Sequence, residues 1–247
     1  MKNFLNWFKK KSQSPEDHIK SFCKKKNLQD TVSHSSPSGN YVLKIQTYNT
    51  GEGTWNYSKC EVYRNRKFYR PVKIAEVHRN YGSFPFAFVE EHPNGHDYLI
   101  CGEDYQGQTV IELDTGERRN YLPDSAAKGH GFCWASFKPN PKGDLIAVEG
   151  CYWAAPYEVW IVDFSEPLNM PWKCLERETD LDKFEGWIDD DSCEIIIEYE
   201  FCPTINKSYN DMTYEECEEI AKLACSQGKE EDDYYETRTN QQRIWKR

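Results

Sequence analysis

His92 and His96 stand either side of Pro93-Asn94-Gly95, and the run from His92 to Glu117 is dense in carboxylates and glycines. Imidazoles and carboxylates held close together could bind a metal or move protons. Asn-Gly is also a strong hairpin signal, because both residues tolerate positive φ. A two-residue turn at 94–95 would set His92 opposite Asp97 and His96 opposite Pro93, side by side at a strand end. A tetrahedral zinc site needs at least three fixed ligands. Spacing supplies only the two histidines, turn polarity accounts for them, and no cofactor is expected.

Glu103 and Asp104 are a second candidate. With His96 they could form the acid–base group of a hydrolase. Adjacent residues on a strand point to opposite faces, so the pair converges only if the backbone bulges. Asp189-Asp190-Asp191 lacks the alternating spacing of a calcium loop and reads as a turn. Cys133 lies in the apolar run Gly131-Phe132-Cys133-Trp134, where a buried thiol is inert. Nucleophile elbow, phosphate-loop, dinucleotide and zinc-protease motifs are absent. No residue is therefore assigned a catalytic role. Tyr63 to Arg70 interleaves aromatic and basic residues, a pattern that could bind nucleic acid or another anion. The same residues also make a hairpin with its tip at Asn65-Arg66.

These side chains must be positioned by strands. Runs rich in β-branched and aromatic residues occur at 41–48, 98–101, 109–113, 145–148, 158–162 and 193–199, with turn signals between them. Three stretches share one plan, namely 35–45, 90–100 and 139–149: a proline, a glycine two residues on, a polar residue, then an apolar strand. Their glycines are Gly39, Gly95 and Gly143. A weaker fourth copy spans 186–200, with Asp-Asp-Asp-Ser in place of the proline and glycine. The fold expected is mainly β, with three to four units of about 50 residues, an N-terminal helix and a C-terminal helical insertion. Residues 1–32 read as a basic helical segment and 33–201 as the β-repeat domain. Residues 202–247 read as a helix, an acidic linker and a final strand packed on that domain. Thr213 and Glu216 form a capping box and Gly228 ends the helix, with Tyr214, Cys217, Ala221 and Ala224 as its apolar stripe.

The stretches Pro139-Asn140-Pro141-Lys142-Gly143-Asp144-Leu145-Ile146-Ala147-Val148 and Val110-Ile111-Glu112-Leu113-Asp114-Thr115-Gly116-Glu117 resemble repeats of WD40-like or TolB-like β-propellers. The resemblance covers about residues 33–201, and residues 84–116 also resemble an uncharacterised bacterial family. It implies blades of four strands, in a partial or small propeller, and carries no single function. No Gly-His or Trp-Asp pair occurs at the positions WD40 repeats use.

If the units are copies, the connections in mid-unit gather on one face. That face would carry Trp55, Tyr57, Tyr105, Tyr152, Trp153 and Tyr157, edged by Glu52, Glu103 and Asp104. Aromatic platforms with an acidic rim suit a protein or peptide partner, in particular a basic one; the alternative is that the rings fill gaps between blades. Exposed sheet edges would also allow a dimer.

Composition sets outer bounds. Residues 1–70 hold 14 Lys and Arg against 5 Asp and Glu, and the remainder 17 against 36. An acidic body argues against broad nucleic-acid binding. Ten cysteines without zinc spacing, no secretory signal and no apolar run of membrane-spanning length point to free thiols and a cytoplasmic protein.

Overall fold

The computed structural model of the chain describes residues 15–51, 54–103, 107–128, 130–152 and 155–244. Its architecture is mainly β, in four antiparallel sheets. The first holds β1 (Leu28–Ser35), β2 (Tyr41–Asn49), β3 (Asn56–Arg66) and β4 (Tyr69–Arg79) in chain order. The second holds β5 (Phe86–Val89), β6 (Tyr98–Glu103), β7 (Gly107–Glu112) and β8 (Arg118–Tyr121), again in chain order. The third is built the same way from β9 (Phe132–Pro139), β10 (Leu145–Tyr152), β11 (Glu158–Asp163) and β12 (Cys174–Glu178). In the fourth, β13 (Leu181–Trp187) pairs β14 (Cys193–Cys202), which also pairs the short β15 (Lys207–Ser208) and β16 (Glu236–Ile244). Phe201 faces both Ser208 and Glu236, so β15 and β16 lie on opposite sides of β14.

Three buried apolar clusters among the described residues join the sheets in sequence. Leu43, Cys60 and Val62 of the first sheet meet Leu99, Cys101 and Ile111 of the second. Ile100 and Val110 of the second meet Phe137, Ile146 and Val148 of the third. Ala147, Val159 and Ile161 of the third meet Cys193 and Ile195 of the fourth. Successive residues of β6 and β10 thus bury on opposite faces, which is why both strands read as unbroken apolar runs. Each aliphatic side chain taken fully from water stabilises the fold by roughly 1.5–3 kcal/mol.

The four turns joining first to second strands occupy equivalent places. Gly39, Gly95 and Gly143 all have positive φ, and their amides donate to the carbonyls of Ser36, His92 and Asn140. Ser192 closes the fourth turn, its carbonyl accepting from Ile188 N. The second turn is longer than Asn-Gly suggests: Val89 pairs with Tyr98, leaving residues 90–97 outside the ladder.

The short helix α1 (Pro15–Lys20) lies beside β4, with Ile19 buried. Helix α2 (Tyr214–Gln227) has its capping box at Thr213 and Glu216 and its left-handed stop at Gly228. Its buried residues are Ile220 and Ala224, whereas Tyr214, in its first turn, is exposed. The apolar stripe is therefore centred on Ile220. No helix of the described residues is long and apolar enough to cross a membrane.

Candidate functional site: the connection end

Strand direction divides the molecule into two ends. At the turn end lie the turns between first and second strands and the hairpin tips between third and fourth. At the other, the connection end, lie the links between second and third strands and the crossovers from sheet to sheet.

The turn end is cross-linked from sheet to sheet. Glu90 accepts from Ser36 Oγ and Ser38 N, both at 2.8 Å. Tyr41 OH donates to Asp97 at 2.8 Å, and Arg64 donates to the carbonyl of Asp114 at 2.9 Å. His92 Nε2 sits 3.0 Å from the Phe164 carbonyl, and Asn140 Nδ2 donates to the Asp190 carbonyl at 2.8 Å. These are ties between neighbouring sheets, and those of buried Ser36, His92 and Asn140 satisfy groups shut off from water.

His92 and His96 are accordingly not a pair. His92 is buried against Tyr98 and Phe164. His96 stands in an open depression of about 570 Å³ with Tyr98, Glu112 and Arg119, its Nδ1 3.3 Å from Asp114 Oδ2 and 3.8 Å from Glu112 Oε1. The polar groups here satisfy one another: Asn94 donates to Tyr98 OH, Tyr98 to Glu112, and Thr115 to Glu112. No group of three metal-ligating side chains able to hold a metal occurs among the described residues. His96 precedes β6 and Glu103 ends it, so some 20 Å of extended chain separates them at about 3.3 Å per residue. His96 therefore does not join Glu103 in an acid–base group.

At the connection end the link from β2 to β3 is organised by Asn49. Its Oδ1 accepts from Gly51 N at 2.8 Å and Thr54 Oγ1 at 3.0 Å, and its Nδ2 donates to the Thr54 carbonyl at 3.2 Å. This turn presents Trp55, which is 50% exposed. The indole N–H donates to the Asn80 carbonyl at 2.9 Å, and the ring lies 6.0 Å from Tyr81. Tyr157, between β10 and β11, is 48% exposed. Partial burial pushes its phenol upward, with Cys151 and then Tyr81 adding to the shift. Trp55 and Tyr81 are thus neighbours.

Beside Tyr157 a cleft of about 420 Å³ opens between the third and fourth sheets. Pro156, Tyr199 and Tyr209 line it together with Asp180, Asp182, Glu198 and Glu200. The carboxylates come together through the pairing of β13 with β14, where Leu181 faces Ile197 and Glu198 N donates to the Asp180 carbonyl. The Tyr157 carbonyl accepts from Leu181 N at 2.8 Å and fixes the link to the cleft wall.

Two of the aromatic residues expected on this face lie elsewhere. Tyr57 stacks on Phe22 at 4.8 Å, on the outer side of the first sheet. Tyr152 packs against Phe132 and Trp160 and lies under the guanidinium of Arg177, filling the edge of the cluster between second and third sheets. Glu103 ends β6 at the connection end. Glu52, Asp104, Tyr105 and Trp153 lie outside the described residues. Tyr81, Asp180, Asp182, Glu198, Glu200 and Tyr209 were not anticipated. A signal exists for one pair only: period-two spacing puts Glu198 and Glu200 on one face of β14, whereas Asp180 precedes β13 with a positive φ.

Fold and site together define a four-sheet antiparallel β protein with a cross-linked turn end and an open, acidic and aromatic connection end. The chain belongs to the family of the "Uncharacterized protein R762" of Acanthamoeba polyphaga mimivirus, to which it is 31% identical over 205 residues, 79% of this chain and 78% of that protein. No protein-family model matches it.

Proposed function

We propose that the chain is a cytosolic binding module whose connection end takes a basic peptide segment of a protein partner. In this reading the four sheets are blades of a small WD40-like or TolB-like propeller, complete or partial. The meander order of the first three sheets and the face-to-face stacking of all four support it. The observation that carries the functional reading is the cleft lined by Asp180, Asp182, Glu198 and Glu200 and by Pro156, next in the chain to exposed Tyr157. Carboxylates facing water attract cations over a Debye length of about 8 Å. Half-exposed aromatic rings give a peptide apolar area and a surface for Lys or Arg to stack on.

The test is an array of Lys- and Arg-rich peptides beside acidic counterparts of the same length. Wild-type protein retains basic peptides, and retention falls as salt rises. The triple variant Tyr157→Ala, Glu198→Gln, Glu200→Gln weakens the best of them by at least about tenfold, a loss of about 1.4 kcal/mol. Equal retention of acidic peptides, or no loss in the variant, refutes the reading.

A further inference from the structure

The hairpin between β3 and β4 is a second surface, at the opposite end of the molecule. Arg64 pairs with Tyr41 at the start of β2, and β3 continues to Arg66, which pairs with Tyr69. The tip therefore falls at Lys67-Phe68 rather than at Asn65-Arg66, and it projects past the first residue of β2. Phe68 is 84% exposed and Tyr69 76%. Arg66, Lys67 and Arg70 are exposed around them, and Lys67 Nζ lies 5.9 Å from the centre of the Phe68 ring. No carboxylate occurs in the chain between Glu61 and Glu76. Arg64 is not part of this surface, because it is engaged with the link after β7, and Lys73 is held by Glu61 and Glu76.

Single exposed hydrophobes are ordinary. Two adjacent aromatic rings at the farthest point of a hairpin, with cations set just behind them, have the layout of an interfacial anchor: apolar groups enter the headgroup layer while Lys and Arg meet lipid phosphates. We propose that this tip docks the protein on an anionic lipid surface. A single-stranded nucleic acid fits less well. It needs a groove that tracks the backbone and rings spread along a platform, whereas these rings crowd one turn on a protein whose remainder is acidic. A projecting point contact holds much of that acidic body back from the lipid charge, and repulsion is screened over a Debye length of about 8 Å. Docked this way, the connection end would face away from the membrane.

The experiment is co-sedimentation of the full chain with phosphatidylcholine vesicles, with and without phosphatidylserine. Binding is expected only with phosphatidylserine. It should weaken about fivefold for each of Arg66→Gln, Lys67→Gln and Arg70→Gln, as expected for about one cation–surface contact each. Phe68→Ala should weaken it by a similar factor without changing net charge, and the exposure of Phe68 makes this variant safe for folding. Failure to bind phosphatidylserine vesicles, binding indifferent to Phe68→Ala, or tighter binding to a single-stranded oligonucleotide would each overturn the proposal. So would sedimentation of the protein alone through self-association that Phe68→Ala abolishes.

Discussion

The two ends of the molecule use polar residues in opposite ways. At the turn end Ser36, His92, Asn140 and Ser192 are all at least 96% buried, and Ser36, His92 and Asn140 each make a hydrogen bond to a neighbouring turn or sheet besides those within their own turn. At the connection end Asp182, Glu198, Glu200, Trp55 and Tyr157 are exposed, and backbone atoms do much of the tying. A stack of sheets needs one set of loops to hold it in register. The other set is then free to vary, and loops on a rigid scaffold are where binding usually resides.

The largest effect of substitution is expected at Gly150, buried in β10 close to the connection end, and reflects packing inside the sheets rather than the contrast between the ends. An added Cβ would lie 2.1 Å from the Cys133 carbonyl oxygen and 2.6 Å from the Phe132 ring. Gly150→Ala must push β9 away and should cost roughly 3 kcal/mol, read as a lower urea midpoint with unchanged slope. Asn140→Ala is next. It removes the acceptor of Leu145 N and the donor to the Asp190 carbonyl and to Asp144, leaving buried groups unpaired, at about 2 kcal/mol. Trp55→Ala and Glu198→Gln at the other end should each change stability by less than about 1 kcal/mol. A smaller cost for Asn140→Ala than for Trp55→Ala or Glu198→Gln would break the distinction between the ends.

Acid sharpens it further. Glu76 lies on β4 within reach of Lys20, Lys59, Lys73 and His78. Burial opposes its charge, yet Lys73, Lys59 and His78 together hold its carboxyl down to about 2. A carboxyl depressed in the folded state contributes stability that is complete above its ordinary value near 4.5 and is lost as pH falls through about 2. The contribution is at most about 3 kcal/mol. Urea midpoints measured across that window should fall more steeply for wild type than for Glu76→Gln, while Glu200→Gln at the exposed cleft should track wild type.

How much of this was legible in the sequence follows from the range of each signal. The turns at Gly39, Gly95 and Gly143 and both ends of α2 were readable, because a positive φ or a cap is decided by a few adjacent residues. The tip at Lys67-Phe68 was misplaced by two residues, since nothing local distinguishes one polar pair in a basic stretch from the next. Tyr57 and Tyr152 were assigned to the wrong surroundings. Pleating says which residues share a face, but not whether a neighbouring segment such as Phe22 covers that face. The acidic cleft was invisible for a related reason: Asp180 and Glu198 become neighbours only through the register of β13 on β14.

Hydrogen–deuterium exchange on the full chain, with and without the tightest-binding basic peptide, is the most direct test of the division between the ends. The account predicts that amides of Gly95, Gly143 and Leu145 exchange only through global unfolding and are indifferent to peptide. It predicts that Tyr157, Asp182 and Glu200 exchange by local opening and become protected when peptide is bound. Protection by peptide at the turn end, with none around Tyr157 and the cleft, would contradict it.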